Sequence, residues 1–170
     1  LQRQIGAELA FGLEVLSSEN QVMARYDNIE RIWDIVETVG VGMLTTRFAS
    51  GLRSRPVEPR LDRHAGVIRI VTDVRGLKDN EVEHASDVGF TVVSAADKAY
   101  LSFTGRAVVV RDRRLAAEIW HESDDVWRPG GADDPNVRVI VLTPSHAELW
   151  DGPASSAVAA FEIAKTKLTG

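Results

Sequence analysis

The chain has 170 residues with 44% hydrophobic and 26% charged side chains, enough for one domain with a substantial core. Its net charge of -5, with no basic face, speaks against a nucleic-acid partner. The absence of cysteine excludes disulfides, thiolate metal sites and cysteine nucleophiles, and is compatible with a reducing cytoplasm. No apolar run has the length of a membrane span, and the N-terminus lacks the pattern of a secretory signal, so the expectation is a cytoplasmic protein with no membrane partner.

In chain order, Ile5, Leu9, Leu13 and Leu16 are spaced for an amphipathic helix, weakened by Gly6 and Gly12. Residues 1–25 are therefore expected to be an accessory N-terminal extension, and 26–170 the main domain. A stronger helix is predicted from Asp27 to Glu37, with Ile29, Ile32, Trp33 and Val36 as its apolar stripe and Asp27 or Asn28 as cap. After Gly40 the period becomes that of strands: Val41–Thr46, then Leu52–Pro59. Pro56 and Pro59 cannot donate ladder hydrogen bonds, which predicts an edge strand or a bulge. A turn over Asp62–Gly66 leads to a strand over Val67–Thr72.

The stretch V-I-R-I-V-T-D-V-R-G-L-K (67–78) reads as a strand, a tight turn and the start of a short helix, Leu77–His84. Backbone N–H groups and the positive end of a helix dipole converge at such a junction. With the Thr72 hydroxyl, Arg75 and Lys78 they make a candidate anion site. Next come a strand over Phe90–Ser94, a hairpin turn over Ala95–Lys98 and a long strand over Ala99–Arg111. In that strand Tyr100, Ser102 and Thr104 alternate with Leu101 and Phe103, and Gly105 marks a bulge or a close backbone approach. Asp112 should cap a helix reaching Ser123, with Leu115, Ile119 and Trp120 inward. An irregular loop (127–135), a strand over Val137–Trp150 and an Ala-rich helix over Ala157–Leu168 complete the chain. Strands joined mainly by short turns argue for a small antiparallel barrel with helices outside.

The four histidines (64, 84, 121, 146) show no ligand spacing, so no metal is expected. Ser54 has no Ser/His/Asp pattern around it, and no catalytic residue is assigned.

The ordered set Trp33-Asp34, G-M-L-T-T (42–46), S-R-P-V (54–57), V-T-D (71–73), Lys78, Y-L-S-F-T-G-R-A (100–107), W-R-P-G-G-A-D-D-P (127–135) and A-E-L-W-D-G-P (147–153) resembles the general stress protein 26 family. That family lies within the FMN-binding split-barrel, pyridoxamine 5'-phosphate oxidase-like superfamily. The resemblance implies a mainly β protein with flanking helices (α+β), built as a six-stranded antiparallel split β-barrel. It also implies a homodimer with FMN at the subunit interface and a small-molecule electron donor or acceptor. By the same resemblance, Arg55, Pro56 and Val57 lie along the flavin, and Thr72 and Lys78, with Asp73 between them, hold the phosphate. Tyr100 and Ser102 line the cofactor from the long strand, and Trp120 and Trp127 reach a flavin bound by the other subunit.

Three positions depart from the family pattern. Gly76 replaces a serine, Val57 a methionine, and Ile68 and Ile70 stand where Trp-Phe is usual. Losing one hydroxyl contact costs about 0.5–1.5 kcal/mol, which binding survives. The function implied is a stress-related FMN oxidoreductase. The alternatives are a flavin-binding protein without turnover, or a relative that uses FAD, haem or a deazaflavin.

Overall fold

The computed structural model describes residues 27–48, 50–74, 87–151 and 159–162. The chain divides into two units, Leu1–Asp34 and Ile35–Gly170. The expected extension over residues 1–25 lies outside the described residues, as does the expected helix Leu77–His84.

Residues 27–39 form helix α1, in which Ile32, Trp33, Ile35 and Val36 are buried, as the apolar stripe predicts. Asp27 and Asn28, expected as caps, are already helical. The helix ends at Gly40, whose φ of 69° is open to glycine, and whose N–H donates to Val36 O at 3.0 Å.

Eight strands follow among the described residues: β1 Gly42–Phe48, β2 Gly51–Val57, β3 Arg60–Asp62, β4 Val67–Asp73, β5 Asp87–Ser94, β6 Ala99–Val110, β7 Val137–Asp151 and β8 Ala159–Glu162. Seven lie on one path, β2-β1-β5-β6-β7-β4-β3, and β8 pairs with β7. Every pairing is antiparallel. The expected antiparallel split barrel is present, with eight strands rather than six. The additional ones are the three-residue β3, which falls between the expected strand Leu52–Pro59 and the expected strand Val67–Thr72, and β8.

Connectivity dictates closure of the sheet. Strands β2 and β3 stand at opposite ends of the path, yet only Glu58 and Pro59 separate them in sequence. Seven strands laid flat would put the two edges about 29 Å apart, whereas that linker spans roughly 11 Å. The sheet must therefore curl until its edges face each other. They meet without a ladder, and the resulting seam is the split.

The barrel interior is filled by alternate residues of β1, β4, β5, β6 and β7, among them Leu44, Ile70, Phe90, Phe103, Ile140 and Leu142. Phe90 and Phe103 are register partners with ring centroids 5.9 Å apart. Strands β4 and β7 are buried on their outer side as well. There Val71, Val137 and Val139 pack with Ala116 and Ile119, which is why successive apolar residues such as Ile70-Val71 and Val139-Ile140 are all buried.

That outer cover consists of two short helices, α2 Arg113–Glu118 and α3 Glu122–Trp127, where one helix reaching Ser123 was expected. Asp112 does cap the first, its Oδ1 accepting from Leu115 N at 3.0 Å. The helix breaks because Asp124 caps a new one, accepting from His121 N at 3.0 Å. The expected C-terminal helix is corrected over residues 159–162. This stretch is strand β8, which pairs Ala159–Glu162 with His146–Leu149. An open β7 edge offers the backbone a ladder that outweighs the helix propensity of alanine.

Candidate functional site

A cleft of about 420 Å³ opens at the seam, within the range of small-molecule sites. Strand β2 and its linker supply Arg55, Pro56, Val57 and Glu58 on one side. The end of β4 supplies Ile70, Val71, Thr72 and Asp73 on the other. Leu44 and Ile140 contribute apolar floor, and Asp124, Trp127 and Arg128 come from α3 and the residue after it.

Six of the residues singled out from sequence therefore share one cleft: Arg55, Pro56, Val57, Thr72, Asp73 and Trp127. Lys78 lies outside the described residues. Tyr100 and Ser102 do not line the cleft. They belong to the outer face of β6, where Tyr100 pairs with Val93 and Trp150, and Ser102 with Thr91 and Glu148. Trp120 packs against the core cluster beneath α2, and its Nε1 donates to Asp125 Oδ1 at 3.0 Å.

Pro56 sits on the terminal strand of the path, as the proline rule predicts. One backbone edge of β2 consequently has no strand partner among the described residues. Arg55 points to the barrel side of the β1–β2 pair, and its Nη2 donates to Thr46 Oγ1 at 2.7 Å. Glu58 accepts from Arg60 Nη2 at 3.1 Å and from Ser123 Oγ at 2.9 Å. These bonds, Ser123 first, hold the Glu58 carboxyl below its ordinary range against the opposing effect of its partial burial, helped by the charges of Arg60 and His121.

The cleft wall contains a charged network that sequence reasoning missed. Asp124, buried, meets Arg60 Nη2 at 3.3 Å and Arg128 Nη1 at 3.5 Å. Arg128 Nη2 donates to Val71 O at 3.0 Å, tying the end of α3 to β4 one residue before Thr72. The Nε atoms of Arg60 and Arg128 are buried without an acceptor. Arg128 lies inside the W-R-P-G-G segment already quoted, and that was its only signal in the sequence. The partnership of Arg60 with Asp124 spans 64 residues and left none.

Among the described residues there is no group of His, Cys, Asp and Glu suited to a metal ion, and no helix long and apolar enough to cross a membrane.

A family model, pyridoxamine 5'-phosphate oxidase like, matches residues 27–170. The chain belongs to the pyridoxamine 5'-phosphate oxidase-like family. Solved structures share the fold. A protein from Clostridium acetobutylicum related to general stress protein 26 is 16% identical with a TM-score of 0.69, covering 79% of this chain and 94% of that one. General stress protein 26 of Bacillus anthracis is 22% identical with a TM-score of 0.64, covering 71% and 92%. The general stress FMN/FAD binding protein of Xanthomonas citri is 21% identical with a TM-score of 0.64, covering 79% and 94%. No curated protein matches the chain.

The lining of this cleft suits a flavin. Leu44, Val57, Ile70 and Ile140 suit a flat ring system, and the unpaired β2 edge suits its polar rim. Arg55, the Thr72 hydroxyl and the orphaned Nε of Arg128 suit anionic or carbonyl oxygens. The donor set fits.

Proposed function

We propose that the seam cleft binds FMN and that the protein is a cytoplasmic, stress-related flavin oxidoreductase. The observation that carries this reading is the convergence of Arg55, Pro56, Val57, Thr72, Asp73 and Trp127, from three separate motifs in sequence, on one apolar-walled cleft. In this reading Arg55 supplies charge along the flavin and Thr72 holds its phosphate, a role that the family resemblance extends to Lys78. The β2 edge meets the rim of the ring, and Leu44, Ile70 and Ile140 keep water from its buried side. The flavin, when bound, supplies electron transfer to or from a small molecule. Trp127, 76% exposed at the mouth, flanks the entry path.

The proposed assembly is a homodimer. Met43, Val93 and Tyr100 are exposed on the outer side of β1, β5 and β6, and the ladder places Ser102, Thr91 and Trp150 among them. Apolar residues gathered on one uncovered sheet face support a protein partner. A second copy seated there brings Tyr100 and Ser102 to its own cofactor edge, which accounts for their absence from the cleft of their own chain.

An absorption spectrum of the purified protein, repeated after adding FMN and washing, is the test. The expected result is flavin bands at about one per chain, as one cleft implies. Thr72→Val should weaken affinity by up to about tenfold through one lost hydroxyl contact, and Arg55→Ala by more. A colourless protein that takes up no FMN overturns the reading, and a haem or deazaflavin spectrum replaces it.

A further inference from the structure

Helix α3 has its burial inverted. Of Glu122–Trp127 only Asp124 is buried, whereas Val126 and Trp127 are 78% and 76% exposed. Neither apolar residue joins the core cluster beneath α2. A surface helix ordinarily does the reverse, turning its apolar stripe inward. The bonds that seat α3 are polar. Ser123 Oγ donates to Glu58 Oε2 at 2.9 Å, and Asp124 Oδ2 accepts from Arg60 Nη2 at 3.3 Å. At the surface Asp125 Oδ1 accepts from Trp120 Nε1 at 3.0 Å. A helix seated in this way draws little on the hydrophobic effect, so leaving its seat exposes polar groups that water can solvate.

The seat also divides without stranding a charge. Glu58 and Arg60 are bonded to each other at 3.1 Å, and Asp124 and Arg128 at 3.5 Å. Breaking the Ser123–Glu58 and Asp124–Arg60 bonds therefore leaves one carboxylate with one guanidinium on each side. The Trp120 ring, packed on the core cluster, and Arg128 Nη2, bonded to Val71 O at 3.0 Å, fix the two ends between which α3 can turn. Trp127 lines the cleft. It follows Asp124 by three residues, so it lies about 60° round the helix from the seat. A roll of about one sixth of a turn brings the indole to the side of α3 that now faces the barrel.

We propose that α3 is a lid on the seam cleft, which leaves its polar seat and rolls the Trp127 indole over a planar aromatic ligand to stack on it. With the indole in solvent, α3 stands in its open position. Taking the ligand to be FMN rests on the flavin reading. The detachable helix does not.

The test is the rate of FMN release, followed as recovery of flavin fluorescence after rapid dilution of the FMN-loaded protein. Ser123→Ala should slow release about two- to fivefold, because the lost bond stabilises only the open position through which the ligand leaves. Simple damage to the site would have the opposite sign. Trp127→Ala should speed release by up to about tenfold, and Trp127→Phe by less. In the Trp127→Ala background, Ser123→Ala should have no further effect. Unchanged or faster release in Ser123→Ala overturns the proposal, as does an effect of Ser123→Ala that persists without Trp127. It is also overturned if Trp127→Ala converts a dimer to single chains in sedimentation, because the indole then belongs to an interface between copies. Hydrogen exchange of the FMN-free protein tests the lid without the flavin. The α3 amides, Arg128 N among them, should open together and apart from the β4–β7 ladder, and about two- to fivefold more readily in Ser123→Ala. Exchange of α3 only together with that ladder overturns the lid. If the protein takes up no FMN while α3 opens by itself, the flavin reading fails and the lid stands.

Discussion

Arg55 Nη2 donates to Thr46 Oγ1 at 2.7 Å across the β1–β2 pair, and Thr46 is only 1% exposed. A buried hydroxyl thus orients a guanidinium at the cleft. Thr46→Val keeps the shape and removes the acceptor. It should cost about 1 kcal/mol of stability, read from the urea midpoint. FMN affinity should fall several-fold because Arg55 loses its fixed direction, while Thr45→Val, on the opposite side of the same strand, leaves FMN affinity unchanged.

The Asp124 network predicts a larger effect. Asp124 caps α3 and sits between Arg60 and Arg128. Asp124→Asn preserves volume and an oxygen for the cap, but leaves two largely buried guanidinium groups without their anion. Removing one partner of a buried ion pair costs about 3–5 kcal/mol. The long 3.5 Å contact to Arg128 and the bonds that Arg60 keeps to Glu58 and Arg128 to Val71 O favour the lower end. Chemical denaturation measures it. Asp125→Asn, one residue on and exposed, should shift the midpoint far less.

These two sites show what is legible in a sequence and what is not. Local rules succeeded where the cause is local. Pro56 placed β2 at an edge, Asp112 capped α2, and the alternation of Leu101 and Phe103 with Tyr100 and Ser102 assigned the two faces of β6. The β2 and β4 motifs were also legible as parts of one site, because the family resemblance covers both. The Arg60–Asp124 pair was not, since nothing near either residue records a partner 64 positions away. Strand β8 was misread for a related reason. Alanine favours a helix locally, and only the free edge of β7, set by the sheet as a whole, makes a strand the better state.

Gly105 joins a sequence rule to a measurable cost. The β6–β7 register shifts between Thr104 and Gly105, leaving Ser145 as the extra residue, and its Oγ donates to Thr104 O at 3.1 Å. A Cβ on residue 105 would lie 2.3 Å from Thr143 O and 2.8 Å from Pro144 Cα. Both obstacles are backbone, held by the ladder. Gly105→Ala should therefore destabilise the protein by about 2–3 kcal/mol, as overpacking does. Gly89→Ala is the control, because its nearest neighbours lie at 3.7 and 3.8 Å, and it should be tolerated far better.

The Glu58–Ser123 bond predicts a dependence on pH. The folded protein holds the Glu58 carboxyl below its ordinary value of 4.5, through the Ser123 hydrogen bond first and, among the other favourable causes, Arg60 next. A carboxyl with a depressed folded pKa binds its proton more readily in the unfolded chain. Its contribution to stability is therefore whole above pH 4.5 and is lost as pH falls through the lower folded value. Ser123→Ala removes the largest cause. The variant should be less stable than wild type by about 0.5 kcal/mol near neutral pH, a small figure because solvent reaches Glu58 and screens it. The difference between the two proteins should shrink as the solution is acidified through the carboxylate range. Urea midpoints of both proteins measured between pH 7 and the acid limit of folding provide the check. A difference that stays constant across that range would assign the Ser123 effect to packing and not to the charge on Glu58.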